Sequence, residues 1–127
     1  MIAVGGYYLN PLPDVLVRAS DPIAGGVGGS RQELCGALAG GVMVLGALWG
    51  RVSAQEDDKV VYDLAKRFRE RFAATFGLTQ CGPIRDAQPE AEKRCGAVVE
   101  KAARMLVEMI EEQRQQTPFR GAYPSSG

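Results

Sequence analysis

Between Glu33 and Arg51 the chain carries no charged or amide side chain; Leu34 and Cys35 lead through small and apolar residues to Trp49 and Gly50. Read as a helix, this run is apolar on every side, so it sits either at the centre of a bundle or inside a membrane. Length discriminates between the two. From Leu34 to Trp49 a helix extends roughly 24 Å, short of the ~30 Å hydrocarbon core of a bilayer. Arg31, Glu33 and Arg51 crowd its ends. The reading is therefore a buried core helix with no membrane span. Ser30-Arg31-Gln32-Glu33 has the form of a capping box, in which the Ser30 hydroxyl accepts from the Glu33 N–H and the Glu33 carboxylate reaches back, and this sets the helix start at Ser30. Gly36, Gly40, Gly41 and Gly46 each cost about 1 kcal/mol relative to alanine inside a helix, so they need a structural reason. Close approach supplies one: a neighbouring helix of the same bundle, a second copy in a homodimer, or a cofactor. Gly26 and Gly28 in the preceding loop, with Gly36 and Gly40, are the positions where a cofactor would come nearest.

The 15 basic and 15 acidic residues give a formal net charge of zero. Nucleic acid and anionic lipid are bound mainly through clustered Lys and Arg, so both are poor partners for this composition. Histidine is absent, which removes imidazole as a general base, a zinc ligand and an axial haem ligand. No nucleophile and base pair can be assembled from spacing, which argues against hydrolase or transferase chemistry. Cys35, Cys81 and Cys95 are too few and too dispersed for a secreted disulfide scaffold, and without a Cys-x-x-Cys pair they give neither a zinc ribbon nor a thioredoxin-type dithiol. The first residues lack a secretory pattern, so the expected address is cytoplasmic.

Along the chain, residues 1–13 form a lead-in, either extended or the frayed end of a helix. Pro13-Asp14 opens a short helix through Ala19. Ala24-Gly25-Gly26-Val27-Gly28-Gly29-Ser30 is a glycine-rich loop; phosphate could lie in such a cradle, but no Gly-Lys-Ser/Thr follows, and a tight structural loop is the preferred reading. Val61, Leu64, Ala65, Phe68 and Phe72 mark an amphipathic helix with Asp63–Arg67 and Lys66–Glu70 pairs outside and Gly77 as its stop. After a connector holding Cys81-Gly82-Pro83, a last helix is expected from Glu90 to Arg114. Its apolar face is Cys95, Val98, Val99, Ala102, Met105, Leu106, Met109 and Ile110. Residues 115–127 lack periodicity and are expected to be mobile. No strand pattern is present. The fold class is all-α, a small bundle of about four helices around the glycine-rich helix, with the domain spanning 14–114.

Cys81 before the last helix, Cys95 about one and a half turns inside it, and Cys35 near the start of the central helix can lie at one end of this bundle. If those ends meet, three thiols converge, with Arg31 the candidate to stabilise a Cys35 thiolate. The competing reading is that all three are small apolar fillers of the core.

Gly25-Gly26-Val27-Gly28, then Cys35 through Met43, Leu45-Gly46, Phe72, Phe76-Gly77, Cys81 and Cys95, in that order, resemble the C_GCAxxG_C_C family over roughly residues 14–112. Its members are small bacterial and archaeal helical domains, presumed redox-active because of four cysteines. The resemblance implies that the second, third and fourth of these fall on Cys35, Cys81 and Cys95. The family's first cysteine belongs upstream of Leu9-Asn10-Pro11 and has no counterpart here, so either the chain begins late or this member has lost a ligand. Three thiolates complete a tetrahedral metal or iron–sulfur site only with a carboxylate such as Glu33 or Asp86, a water or a partner chain. The expected function is redox: Cys35, Cys81 and Cys95 cycle as dithiol and disulfide, or hold a metal ion or iron–sulfur cluster, with an unnamed redox partner. The alternative is a non-catalytic interaction domain, homodimeric through the glycine-rich helix, whose cysteines are inert.

Overall fold

The computed structural model describes residues 1–90 and 95–120, and within them the regular elements are helices joined by loops. Its elements are α1 (Ile2–Tyr8), α2 (Asp14–Ser20), a 3-10 turn over Asp21–Ile23, α3 (Gly36–Trp49), α4 (Lys59–Phe76), α5 (Cys81–Asp86) and α6 (Gly96–Arg114). The all-α class holds, with two short helices, α1 and α5, beyond the expected four. No helix among the described residues is long and apolar enough to cross a membrane.

The uncharged run becomes α3, which lies inside the bundle with Leu38, Val44, Leu45, Leu48 and Trp49 almost entirely buried. Helices α4 and α6 both pack on it and on each other. The apolar stripe of α4 supplies Leu64, Phe68 and Phe72, and α6 supplies Val98, Ala102, Leu106, Met109 and Ile110. Val99, expected on the inner face of α6, is 53% exposed, one position off the stripe that α3 covers. Asp63 and Arg67 pair at 3.0 Å on the wet side of α4, where exposure limits the gain to a few tenths of a kcal/mol. Gly77 closes α4 in the left-handed conformation, φ +75°, its N–H donating to Ala73 O.

Gly40 and Gly41 of α3 are used for close approach within the chain. A Cβ on Gly41 would lie 2.5 Å from Cε2 of Phe68, so glycine here lets α4 press its phenylalanine onto the α3 backbone. A Cβ on Gly40 would lie 3.2 Å from the Met1 Cβ, placing the start of the chain against the same helix.

Three boundaries differ from the sequence reading. The capping box does not form: Ser30 Oγ donates to Gly26 O at 2.7 Å and accepts from Gln32 N–H at 3.3 Å, closing the loop on itself. Helix α3 therefore begins at Gly36 with Cys35 as its N-cap. The last helix begins at Gly96 rather than near Glu90, because Cys95 is left-handed (φ +63°) and interrupts the helical run; residues 91–94 of the expected helix lie outside the described residues. The expected tail is docked as far as Arg120. The Phe119 ring sits edge-on to Trp49 (5.1 Å) and Tyr8 (5.8 Å), Trp49 Nε1 donates to Thr117 O, and Arg120 N–H donates to Leu48 O at 2.8 Å. Tyr8 on α1 is thereby enclosed; burial, together with the Glu111 carboxylate, pushes its phenol up to about 12. The expected mobility of 121–127 falls outside the described residues.

Contacts at two glycines of one helix predict opposite signs. Gly41→Ala forces Phe68 away and should destabilise the fold by about 1–3 kcal/mol. Gly46→Ala meets nothing within 4 Å and should stabilise it by up to about 1 kcal/mol through helix propensity. Urea unfolding midpoints of the two variants check both.

Candidate functional site

Each cysteine stands where a helix begins. Cys35 is the N-cap of α3, Cys81 is the first residue of α5 after an extended Gln80, and Cys95 is the N-cap of α6. Cys81 is thus helical rather than in a loop, and Cys95 precedes its helix instead of lying inside it. All three are thiols; Cys35 is buried, while Cys81 and Cys95 are half-buried.

What joins the first two is a short antiparallel contact. Leu34 pairs with Gln80, Cys35 N–H donates to Thr79 O and Cys81 N–H donates to Glu33 O, both at 2.8 Å. In such a pairing the residues flanking the central pair share the face opposite to it. Cys35 and Cys81 are accordingly diagonal neighbours across the contact. Thr79 and Gln80, which set this register, carry no signal in the sequence: two isolated residues are too short for strand periodicity.

The glycine loop supports Cys81 from behind. Gly25, Gly26, Val27, Gly28 and Gly29 are successively left-handed, a path open at low cost only to a glycine-rich segment. It turns the buried Gly26 onto Cys81, where an added Cβ would lie 2.6 Å from the cysteine Cβ. Next to it, Gly82 N–H donates to Arg31 O at 2.8 Å, and an added Cβ on Gly82 would meet that same oxygen. Arg31 thus adjoins Cys81 and Gly82 through its backbone, not Cys35 along a helix. The N–H groups of Val27, Gly28, Gly29, Ser30, Arg31 and Glu33 all donate to carbonyls of the same segment, so the loop is closed by its own bonds, with those donors turned away from any anion. Of the other glycines singled out from the sequence, Gly28 is exposed with open space beside it, Gly36 faces Ala24 at 3.6 Å, and Gly40 faces Met1. Only Gly26 among them reaches a cysteine.

Burial pushes the Cys35 thiol above its ordinary value of 9.0. The first-turn N–H groups of Ala37 and Leu38 oppose this, and negative charge on Cys81 or Cys95 adds to it. Cys35 is therefore protonated at neutral pH, and it senses both other thiols. Among the described residues, no group of three or more Cys, Asp or Glu side chains is arranged to hold a metal ion.

These features define a class, a small all-α domain with thiols at the starts of three helices and a glycine loop buttressing one of them. The chain belongs to the C_GCAxxG_C_C family, described as "Putative redox-active protein (C_GCAxxG_C_C)", whose model matches residues 3–109. The match begins within α1, ahead of the segment on which the sequence resemblance rests. No curated protein and no solved structure matches the chain.

The raised Cys35 pKa has a thermodynamic sign. Between the ordinary thiol value and the higher native one, the folded protein binds more protons than the unfolded chain, so this contribution is full at lower pH and is lost as pH rises through the window. Urea midpoints should fall from about pH 8 to about pH 10, and Cys35→Ala should show a shallower fall than the native protein.

Proposed function

We propose that the chain is a thiol-based redox protein in which Cys35 and Cys81 cycle between dithiol and disulfide, with Cys95 as the third thiol of the same cluster. The observation that supports this most is the antiparallel contact, which brings together two cysteines 46 positions apart in sequence (81 − 35) and holds them by two backbone hydrogen bonds. The family's description agrees in kind. A core-filler role accounts for a buried Cys35 but gives no reason for a second cysteine fixed diagonally to it, half-exposed and backed by a glycine that no other residue can replace.

Dithiol chemistry fits the donors better than a metal centre. With three cysteines and no histidine, a four-coordinate thiolate site lacks one ligand, and among the described residues no acidic side chain joins the cysteines in a group of three or more. Helix starts favour thiolates through the partial positive charge of unpaired N–H groups; at Cys35 the α3 N–H groups oppose burial without overcoming it.

Anaerobic purification followed by metal analysis and thiol counting tests the reading. The expected result is no stoichiometric metal, three titratable thiols after reduction, and loss of two on mild oxidation, restored by reductant. Cys35→Ala and Cys81→Ala should each abolish that reversible loss. A stoichiometric metal ion, or a native protein whose thiol count never changes, would overturn it.

A further inference from the structure

The two cysteines of the pair are unequal in access, and this divides the work between them. Cys35 is 7% exposed and belongs to the hydrophobic core, among the buried side chains that include Leu38 and Ile84. Cys81 is half-buried and opens α5 at the surface end of the same contact. On one flank it meets backbone: Gly26 lies against its Cβ, and Gly82 beside it is bonded to Arg31 O. The Cys81 side chain is thus partly exposed, with Gly26 against one side of it. A small molecule reaches a half-buried sulfur of this kind more readily than a folded surface does.

Resting on the dithiol reading above, we propose that Cys81 is the attacking thiol and Cys35 the resolving thiol of a reaction with a low-molecular-weight disulfide. The Cys81 thiolate attacks one sulfur of the external disulfide RS–SR; that S–S bond breaks, one RS⁻ leaves, and a Cys81 Sγ–SR bond forms. Cys35, shielded from the external disulfide, meets the mixed disulfide across the antiparallel contact. Once deprotonated, its sulfur attacks Cys81 Sγ, the Cys81–SR bond breaks, and the second RS⁻ leaves. The two protons given up by Cys81 and Cys35 are taken by the two released thiolates. The protein loses two electrons and the external disulfide gains them, and the same steps reversed reduce the protein.

The order of attack follows from general thiol chemistry as well as from access. Exchange is carried by the thiolate, and the sulfur that stays protonated at neutral pH is the poorer first nucleophile. Such a thiol becomes effective once the electrophile is held next to it, since proximity replaces a bimolecular encounter.

Oxidised glutathione is the probe, with intact-protein mass spectrometry and peptide mapping as the readout and circular dichroism to confirm that each variant is folded. The native protein should form little lasting adduct and accumulate a Cys35–Cys81 disulfide. Cys35→Ser should accumulate a glutathione adduct on Cys81 that persists at least about tenfold longer than in the native chain. Cys81→Ser should form adduct at Cys35 about tenfold more slowly or not at all. If Cys35→Ser does not fold, Cys35→Ala serves the same purpose. Adduct appearing first on Cys35, a persistent adduct in the native protein, or no adduct in any variant would overturn the assignment. A native protein that still forms a reducible disulfide under other oxidants keeps the dithiol reading while this division of labour fails; one that forms none under any oxidant loses both.

Discussion

Two backbone hydrogen bonds, Cys35 N–H to Thr79 O and Cys81 N–H to Glu33 O, fix where α3 and α5 begin relative to each other. Each is an ordinary bond, worth about 1 kcal/mol net. Their positional effect is larger than their energy. Without them the extended residues before the two helices have no reason to lie side by side, and the cysteines that follow would be separated by the whole of α3 and α4 and their loops. The contact also explains the glycine loop. A segment that reverses direction between the turn at 21–23 and Leu34, while leaving room for Cys81 behind it, must pass through left-handed backbone and carry no Cβ at Gly26.

The same economy of space governs the core. α3 is apolar all round because helices and docked segments cover it on several sides, and it tolerates glycine because the loss of helix propensity is offset by contact. Phe68 against Gly41 is the clearest case: roughly 1 kcal/mol of propensity is given up, and an aromatic ring is fully buried, a gain of about 1.5–3 kcal/mol. Gly40 and Gly41 make their close approach with Met1 and Phe68 of their own chain.

Much of the fold was legible from periodicity and composition. The all-α class, the burial of the glycine-rich helix, the Leu64–Phe68–Phe72 stripe and the Gly77 stop all follow from rules that act over three or four residues. What escaped was set by contacts across the chain. The capping box at Ser30 reads well locally, but the left-handed loop takes its hydroxyl for Gly26 O. α1 and α5 are too short to show a period. Phe119 and Arg120 dock because Trp49, Leu48 and Tyr8 await them, which a tail of mixed composition does not reveal. For the candidate site, residue type and the family's order single out the three cysteines, and the loop singles out Gly26, which lies against Cys81. Thr79, Gln80 and Gly82, which set the cysteine register, were invisible because their roles depend on backbone groups.

The single tryptophan of the chain lies at the last residue of α3, while Cys35 caps the first. A helix of that length separates them by about 20 Å. Trp49 is held by Phe119 and Thr117, so its intrinsic fluorescence reports the seating of the C-terminal segment. Thiolate or disulfide at the other end lies beyond the contact distance at which sulfur quenches an indole. The emission of this protein is therefore a gauge of closure at one pole of the bundle and stays silent about events at the other.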